Sequence, residues 1–128
     1  MGDVEVSVVV PVGKGDRLPL GNQLEALRHQ STNRHYEVLI ADNTGHLMLD
    51  EPTPILQVVD ASTRAGAAYA RNAAAKRANG KIVLFCDADD IVSADWLEAH
   101  AAALERVPFT TGPVKRIRED QRLSLIHI

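Results

Sequence analysis

Three aspartates follow an apolar run in the second half of the sequence. Asp87, Asp89 and Asp90 come directly after residues 81–86, whose composition is typical of a strand buried on both faces. An unpaired charge is costly to bury, so these carboxylates must lie where the strand ends and meets water or a ligand. Asp87 and Asp89, two positions apart, can direct oxygens at one hard cation, which often bridges a protein to phosphates.

Two more polar loops, residues 11–16 and 42–45, also follow predicted strands. The carboxyl ends of parallel strands share one edge of a sheet, where ligands bind, so we expect the three loops to converge in one crevice. Other interpretations remain open at this point. Asp42 and Asn43 are equally compatible with a simple Asx turn, and Asp90 with a loop that precedes the next helix.

The glycines of Gly13-Lys14-Gly15 match neither a dinucleotide-binding fingerprint nor a Walker loop. This segment is therefore interpreted as a flexible lip that can offer a cationic contact from Lys14. Arg71 and Asn72 interrupt an alanine-rich stretch. The Arg71 guanidinium is long enough to reach a phosphate, and a structural ion pair is at least as good an interpretation.

The elements that must position these residues follow from composition and periodicity. Strands are predicted at residues 4–12, 36–41, 55–59, 81–86 and 109–115. Because proline cannot donate to a ladder, the first strand should end or leave the sheet near Pro11. A helix is predicted at residues 18–30, where Leu20, Leu24 and Leu27 recur at helical spacing.

Two more helices are predicted from capping signals. The first spans residues 62–79, with Ser62 or Thr63 as its cap and Gly80 just beyond its end. The second begins at a Ser93 cap, with Asp95 in its first turn. Alternating strands and helices predict an α/β fold with a mostly parallel sheet flanked by helices.

Composition bounds the class of protein. The 128 residues suffice for one domain, with 45% apolar and 24% charged residues. A net charge of -3 argues against binding to nucleic acid, and no apolar run reaches the roughly 20 residues of a membrane span. The single cysteine, Cys86, is interpreted as a buried strand residue in a reducing compartment. The five histidines lack the spacing of a zinc site.

The chain is predicted to divide at residue 114. Residues 1–114 form an incomplete domain in this interpretation, and residues 115–128 form a charged segment with a disordered or non-native tail. The last six residues, 123–128, show no cap or amphipathic pattern. We therefore expect a truncated chain.

Four segments together resemble family 2 glycosyltransferases of the GT-A fold. They are Val6–Val12, Tyr36–Asn43, Gly66–Ala74 with its Ala-Arg-Asn triplet, and Leu84–Asp90 with its Asp-x-Asp motif, followed by Trp96-Leu97-Glu98. The resemblance covers about residues 4–114, in the family's order and spacing. It implies the Rossmann-like, nucleotide-binding half of that fold.

The resemblance also implies roles for individual residues. Pro11, Val12, Gly13, Asp42 and Asn43 would bracket the base and ribose of a nucleotide-sugar, with Arg71 as a further nucleotide contact. Asp87 would approach the ribose or sugar, and Asp89, with Asp87, would bind Mn²⁺ or Mg²⁺. Gly13-Lys14 stand where many members carry an aromatic residue that stacks on the base.

The activity implied is an inverting transfer of a sugar from a UDP-, GDP- or dTDP-sugar to a hydroxyl of an unknown saccharide, lipid or protein. The family's general base lies downstream, so no catalytic residue is identified here. A cytoplasmic location is expected, with peripheral association at the inner membrane face left open. Two alternatives are a non-catalytic nucleotide-sugar-binding fragment and a haloacid-dehalogenase-type phosphatase, whose Asp-x-Asp motif would follow the first strand.

Overall fold

The computed structural model describes residues 3–47 and 55–107, together with three two-residue strands near the C-terminus. In chain order the elements are β1 (Val6–Val12), α1 (Arg17–Arg28), β2 (Tyr36–Asp42), β3 (Leu56–Asp60), α2 (Ala67–Ala75), β4 (Ile82–Cys86), α3 (Trp96–Leu104), β5 (Lys115–Arg116), β6 (Leu123–Ser124) and β7 (Ile126–His127). Of the described helices, none has both the length and the apolar character required to cross a bilayer.

A parallel sheet organises the chain. Its strand order is β3-β2-β1-β4-β7, and β1, β2, β3 and β4 pair in parallel. β7 pairs antiparallel to β4, and β5 pairs with β6 in a separate ladder. The predicted α/β fold with a mostly parallel, helix-flanked sheet is confirmed. The division of the chain at residue 114 stays a prediction, and the strand predicted at 109–115 falls almost entirely outside the described residues.

β1 lies at the centre of the sheet, and all seven of its residues are buried. The strand extends one residue past Pro11, to Val12. Alternate residues of a parallel strand bond to opposite neighbours. The bonds from Val6 to His35 and from Asn43 to Val12 show that the even positions bond toward β2. The backbone nitrogen of Pro11, which carries no hydrogen, therefore faces β4. No hydrogen bond is lost there, because the pairing of β4 with β1 has already ended at Val9.

The two faces of the sheet bury separate cores. Even-numbered residues of β1 pack with Leu20, Leu24 and Leu27 of α1 and with Trp96 and Leu97 of α3. On the opposite face, Val9 packs with Leu39, Val59 and the alanines of α2. This split follows from the alternation of side chains along a strand. Cys86 is buried, and burial raises the pKa of its thiol, in agreement with its interpretation as a packing residue.

A buried carboxylate joins the amino-terminal ends of the strands. Glu37 accepts hydrogen bonds from the Ser7 hydroxyl at 2.6 Å and from the Asn79 backbone amide at 2.8 Å. The Gly80 amide donates to the Ser7 hydroxyl at 2.8 Å, beside the backbone of β1. These contacts hold the turn between α2 and β4 against the sheet, on the edge opposite the predicted site.

The prediction of a long α2 was wrong at both ends. The helix spans Ala67–Ala75, and its N-cap is Gly66, which has a left-handed φ of 116°. Neither Ser62 nor Thr63 therefore caps the helix. Asp60 instead accepts bonds from the backbone and hydroxyl of Ser62, which stabilises a turn. At the other end the helix stops at Ala75, and the backbone amide of Asn79, which was predicted to lie in the helix, donates to Glu37 instead. Tertiary hydrogen bonds outweigh the helix propensity of alanine.

The cap predicted for α3 was also wrong. The helix begins at Trp96 with Asp95 at the N-cap position, and the Asp95 side chain makes no capping hydrogen bond. The Ser93 hydroxyl donates to Asp95 at 2.7 Å, while its carbonyl accepts from the Trp96 amide. Leu97 and Ala101 of α3 are buried and Leu104 packs against the core, so this face of the helix points inward.

Candidate active site

The three aspartates after β4 lie together at the carboxyl edge of the sheet. Asp87, Asp89 and Asp90 each offer a carboxylate oxygen, and these oxygens lie within 4.8 Å of one another. Asp90 is 4% exposed, Asp87 is half-buried and Asp89 is exposed. A set of carboxylate oxygens with one face open to solvent fits a hard cation such as Mg²⁺ or Mn²⁺.

A side chain of α1 binds the backbone of the loop that carries these aspartates. The side chain of Gln23 donates to the Asp87 carbonyl at 2.9 Å and accepts from the Val92 amide at 3.1 Å. Ala88, which lies between two of the aspartates, and Val92, which follows them, are buried in the adjoining core. The loop is therefore fixed by packing and by buried hydrogen bonds.

A cavity of about 170 Å³ opens beside the carboxylates. It collects residues from the ends of β1, β2 and β4 and from the start of α2. Its lining comprises Pro11, Val12, Gly13, Asp16, Asn43, Ala67, Ala70, Asp87, Ala88 and Asp89. Six of the predicted site residues therefore share one cavity, although they come from distant parts of the chain.

A second, larger cavity of about 720 Å³ adjoins the first. The two cavities share Val12, Gly13 and Asn43. The remaining lining residues come from the loops after β1, β2 and β3: Lys14, Gly15, Thr44, His46, Leu47 and Ala65. Lys14 thus lies at the rim of the second cavity, on the loop that the sequence predicted as a lip.

Asn43 connects the loop after β2 to the loop before α2. Its amide nitrogen donates to the Ala61 carbonyl at 2.6 Å and to the Arg64 carbonyl at 2.7 Å. Its amide oxygen accepts from the Gly66 amide at 3.0 Å. These three bonds set the point at which α2 begins, so Asn43 shapes the cavity wall as well as lining it.

Asp42 is placed differently from its neighbour. Its carboxylate is buried and accepts from the Thr44 amide at 2.8 Å, from the Thr44 hydroxyl and from the Leu47 amide at 2.8 Å. Burial raises the pKa of Asp42, but these hydrogen bonds outweigh burial and leave its pKa below the ordinary value. Asp42 is not in the lining of either cavity, and its contact with a nucleotide stays a prediction.

Arg71 lies on α2 and is partly buried. The linings of the two cavities do not include it. Ala67 and Ala70 of the same helix do line the smaller cavity. The contact between Arg71 and a phosphate therefore stays a prediction as well.

Two polar residues of the site were missed by the sequence analysis. Asp16 lines the smaller cavity, and its carboxylate accepts from the Gly13 amide at 2.9 Å, which closes the loop after β1. Gln23 supports the aspartate loop from within the core. The signal for Gln23 was present, because it occupies the helical stripe defined by Leu20, Leu24 and Leu27, where a polar side chain needs buried partners.

The parallel sheet, the flanking helices and the acidic loop after β4 agree with the fold expected of a GT-A glycosyltransferase domain. The family model for Glycosyl transferase family 2 matches residues 7–125. The chain belongs to glycosyltransferase family 2. The predicted family is thereby confirmed, and the motif follows the fourth strand, not the first as a haloacid-dehalogenase-type phosphatase requires.

Curated relatives from Bacillus subtilis (strain 168) carry glycosyltransferase names. The chain is 31% identical to the uncharacterized glycosyltransferase YfnE over 109 residues, which are 80% of this chain and 27% of YfnE. It is 28% identical to the uncharacterized glycosyltransferase YwdF over 124 residues, which are 93% of this chain and 45% of YwdF. The chain thus spans less than half the length of either relative.

Solved structures of S. aureus TarS share the fold. Residues 1–349 of TarS align with a TM-score of 0.69 and 24% identity over 93% of this chain and 37% of the TarS chain. The corresponding complex of TarS with UDP-GlcNAc aligns with a TM-score of 0.70 and 23% identity, over the same shares of the two chains. This likeness confirms the GT-A fold.

Proposed function

We propose that this chain binds the nucleotide-sugar donor, together with a divalent cation, in a glycosyl-transfer reaction. One observation carries the proposal: Asp87 and Asp89 line the same cavity as Pro11–Gly13 and Asn43. These residues end three parallel strands at one edge of the sheet, which is where α/β folds bind nucleotides.

Asp89 and Asp87 would hold the cation. Their donor atoms are hard carboxylate oxygens, and the exposure of Asp89 leaves room for phosphate oxygens to complete the coordination. A bound Mg²⁺ or Mn²⁺ would neutralise the negative charge that develops on the departing diphosphate. Asp90 is buried, and its carboxylate oxygen lies within 4.8 Å of the oxygens of the other two aspartates.

The donor we propose is a uridine diphosphate sugar. TarS, which shares the fold, has been crystallised with UDP-GlcNAc and with UDP. The larger cavity beyond Val12 and Gly13 has room for a base and ribose, and the smaller one adjoins the carboxylates that would meet the diphosphate. Asp42 and Arg71 remain proposed as further nucleotide contacts, although neither lines the two cavities.

The reaction we propose is an inverting transfer. The bond between the sugar C1 and the diphosphate oxygen breaks, and a hydroxyl oxygen of the acceptor forms the new bond to C1. The hydroxyl proton passes to a general base, which we do not assign to any described residue. This chain would then supply the donor-binding part of the reaction. The acceptor class and a cytoplasmic location stay predictions.

Calorimetric titration with UDP, GDP and dTDP, each with Mn²⁺ and with EDTA, tests the proposal. We expect UDP to bind more tightly with Mn²⁺, and Asp89→Asn to weaken that binding by at least about tenfold, since it removes a ligand charge but keeps the side-chain size. Glu25→Gln removes the same charge from an exposed site on α1 and serves as the matched control. Equal binding of UDP by the parent and Asp89→Asn would refute the metal site.

A further inference from the structure

Gln23 is the most deeply buried polar side chain of α1, with none of its surface exposed. It projects from the apolar stripe of the helix, between Leu20 and Leu24. An amide in such a place destabilises the core unless both of its ends are bonded. Both ends of Gln23 are bonded, and both partners belong to the loop that carries the aspartates.

The two bonds of Gln23 bracket this loop. The side-chain nitrogen holds the carbonyl of Asp87, the first acidic residue, and the side-chain oxygen holds the amide of Val92, which follows the last acidic residue by two positions. Asp90 also donates its amide to the Asp87 carbonyl, at 3.3 Å. The backbone between Asp87 and Val92 is thus fixed at its two ends by one side chain.

We propose that Gln23 is a positioning residue for the cation site. It holds residues 87–92 in the conformation that brings the carboxylate oxygens of Asp87, Asp89 and Asp90 within 4.8 Å of one another. The link to a cation rests on the function proposed above. The link to the loop conformation rests only on the hydrogen bonds and burial of Gln23.

Gln30, two residues beyond the end of α1, offers a comparison. It lies seven residues after Gln23 and makes analogous bonds, donating to the Ser93 carbonyl at 2.8 Å and accepting from the Leu97 amide at 2.8 Å. Ser93 is the residue after Val92, and Leu97 lies in the first turn of α3. Loss of Gln30 therefore removes similar hydrogen bonds without releasing Asp87 or Val92.

Gln23→Met and Gln30→Met are the matched variants for the test, since methionine keeps the length of the side chain and removes the amide. Backbone amide hydrogen exchange, followed by NMR, reports on each hydrogen bond. We expect Val92 to exchange at least about tenfold faster in Gln23→Met, and Leu97 to do so in Gln30→Met. We also expect Gln23→Met to lower the Mn²⁺-dependent affinity for UDP about tenfold, as loss of an outer-shell partner does. Binding of UDP in EDTA should stay within about twofold of the parent.

Hydrogen exchange and UDP binding together distinguish the positioning role of Gln23 from the proposed cation site. Unchanged exchange at Val92 in Gln23→Met, or an equal loss of Mn²⁺-dependent affinity in both variants, would overturn the positioning role. A parent chain that binds UDP equally well with Mn²⁺ and EDTA would instead refute the proposed cation site. In that case the exchange at Val92 still decides whether Gln23 fixes the loop.

Gln23→Leu covers the case in which Gln23→Met does not fold, since leucine suits the apolar stripe of α1 and also lacks the amide. We expect fast exchange at Val92 together with weakened Mn²⁺-dependent binding of UDP in this variant as well. Parent-like binding of UDP combined with fast exchange at Val92 would show that the hydrogen bonds of Gln23 do not position the carboxylates.

Discussion

At the scale of single residues, the carboxylates at the edge of the sheet differ in their partners. Asp42 accepts three hydrogen bonds from Thr44 and Leu47, so its negative charge stabilises its own loop. Asp87 and Asp89 instead line a cavity and lie within reach of a shared ion. The residue type is the same in each case, and the supply of local donors determines which carboxylate is directed toward a ligand.

His100 on α3 leads to a prediction on pH. The side chain is 7% exposed, its Nδ1 has no hydrogen-bond partner, and its ring contacts Trp96. Burial lowers the pKa of His100 below its ordinary value of about 6.5. Below pH 6.5 the unfolded chain therefore binds a proton that the folded chain does not, and the free energy of unfolding falls as the pH falls.

We expect the free energy of unfolding to decrease from pH 6.5 toward pH 5, with a slope of at most about 1.4 kcal/mol per pH unit from this group. His100→Phe, which keeps a ring beside Trp96, should reduce that slope. Urea denaturation across this pH range measures it. His35→Gln serves as the control, because it replaces an exposed histidine and leaves His100 in place. The same slope in His100→Phe and the parent would contradict this assignment.

At the scale of elements, glycines fix where α2 begins and how closely the turn before β4 approaches the sheet. Gly66 has a left-handed φ that starts α2 late, after the loop that Asn43 binds. Gly80 lies so close to β1 that an added Cβ would approach the Ser7 nitrogen to 2.7 Å and the Val6 carbonyl carbon to 2.8 Å. The turn before β4 can reach the sheet only because position 80 has no side chain.

Gly80→Ala should therefore destabilise the fold by at least about 2 kcal/mol, since the clash involves backbone atoms that cannot rotate away. Gly21→Ala is the matched control, because Gly21 lies within α1 and an added Cβ there meets nothing within 4 Å. It should stabilise the chain by about 0.5–1 kcal/mol through helix propensity. Chemical denaturation measures both changes, and a neutral Gly80→Ala would argue against the close approach.

At the scale of the whole molecule, the parallel order of β3, β2, β1 and β4 brings distant loops together. The register pairs Val12 with Asp42 and Asp42 with Asp60, so these strands end at one level. β4 ends beside them, and its acidic loop completes the cavity wall. A ligand that bridges loops from different strands would cross-link the fold and stabilise it as a unit.

We accordingly expect UDP and Mn²⁺ together to stabilise the folded chain more than either does alone. At a ligand concentration of about 100 times the Kd, the gain is about 2.7 kcal/mol, which raises the Tm by roughly 10 °C for a domain of this size. Thermal unfolding followed by circular dichroism measures the shift. The control replaces Mn²⁺ with EDTA, and an equal Tm shift in EDTA would contradict a site shared by the cation and the nucleotide.

Much of this architecture could be predicted from local patterns. The buried strands Val6–Val12 and Tyr36–Asp42 are mostly apolar and contain β-branched residues, and α1 shows leucines at helical spacing. The acidic loop was predicted because carboxylates cannot follow a buried strand into the core. The ends of α2 could not be predicted, since Asn43 and Glu37, far away in sequence, bind the residues that flank it.

The sequence by itself determined the order of strands and helices, the parallel sheet and the family, because periodicity, composition and motif spacing are local properties. Only the tertiary structure decided that Asn43 and Asp87 share a cavity, that Asp42 binds its own loop, and that Gln23 supports the aspartates. The physical reason is that the partners of Gln23 lie 64 and 69 positions away in sequence, and that the cavity walls come from the ends of different strands. Their meeting depends on how the strands are ordered in space.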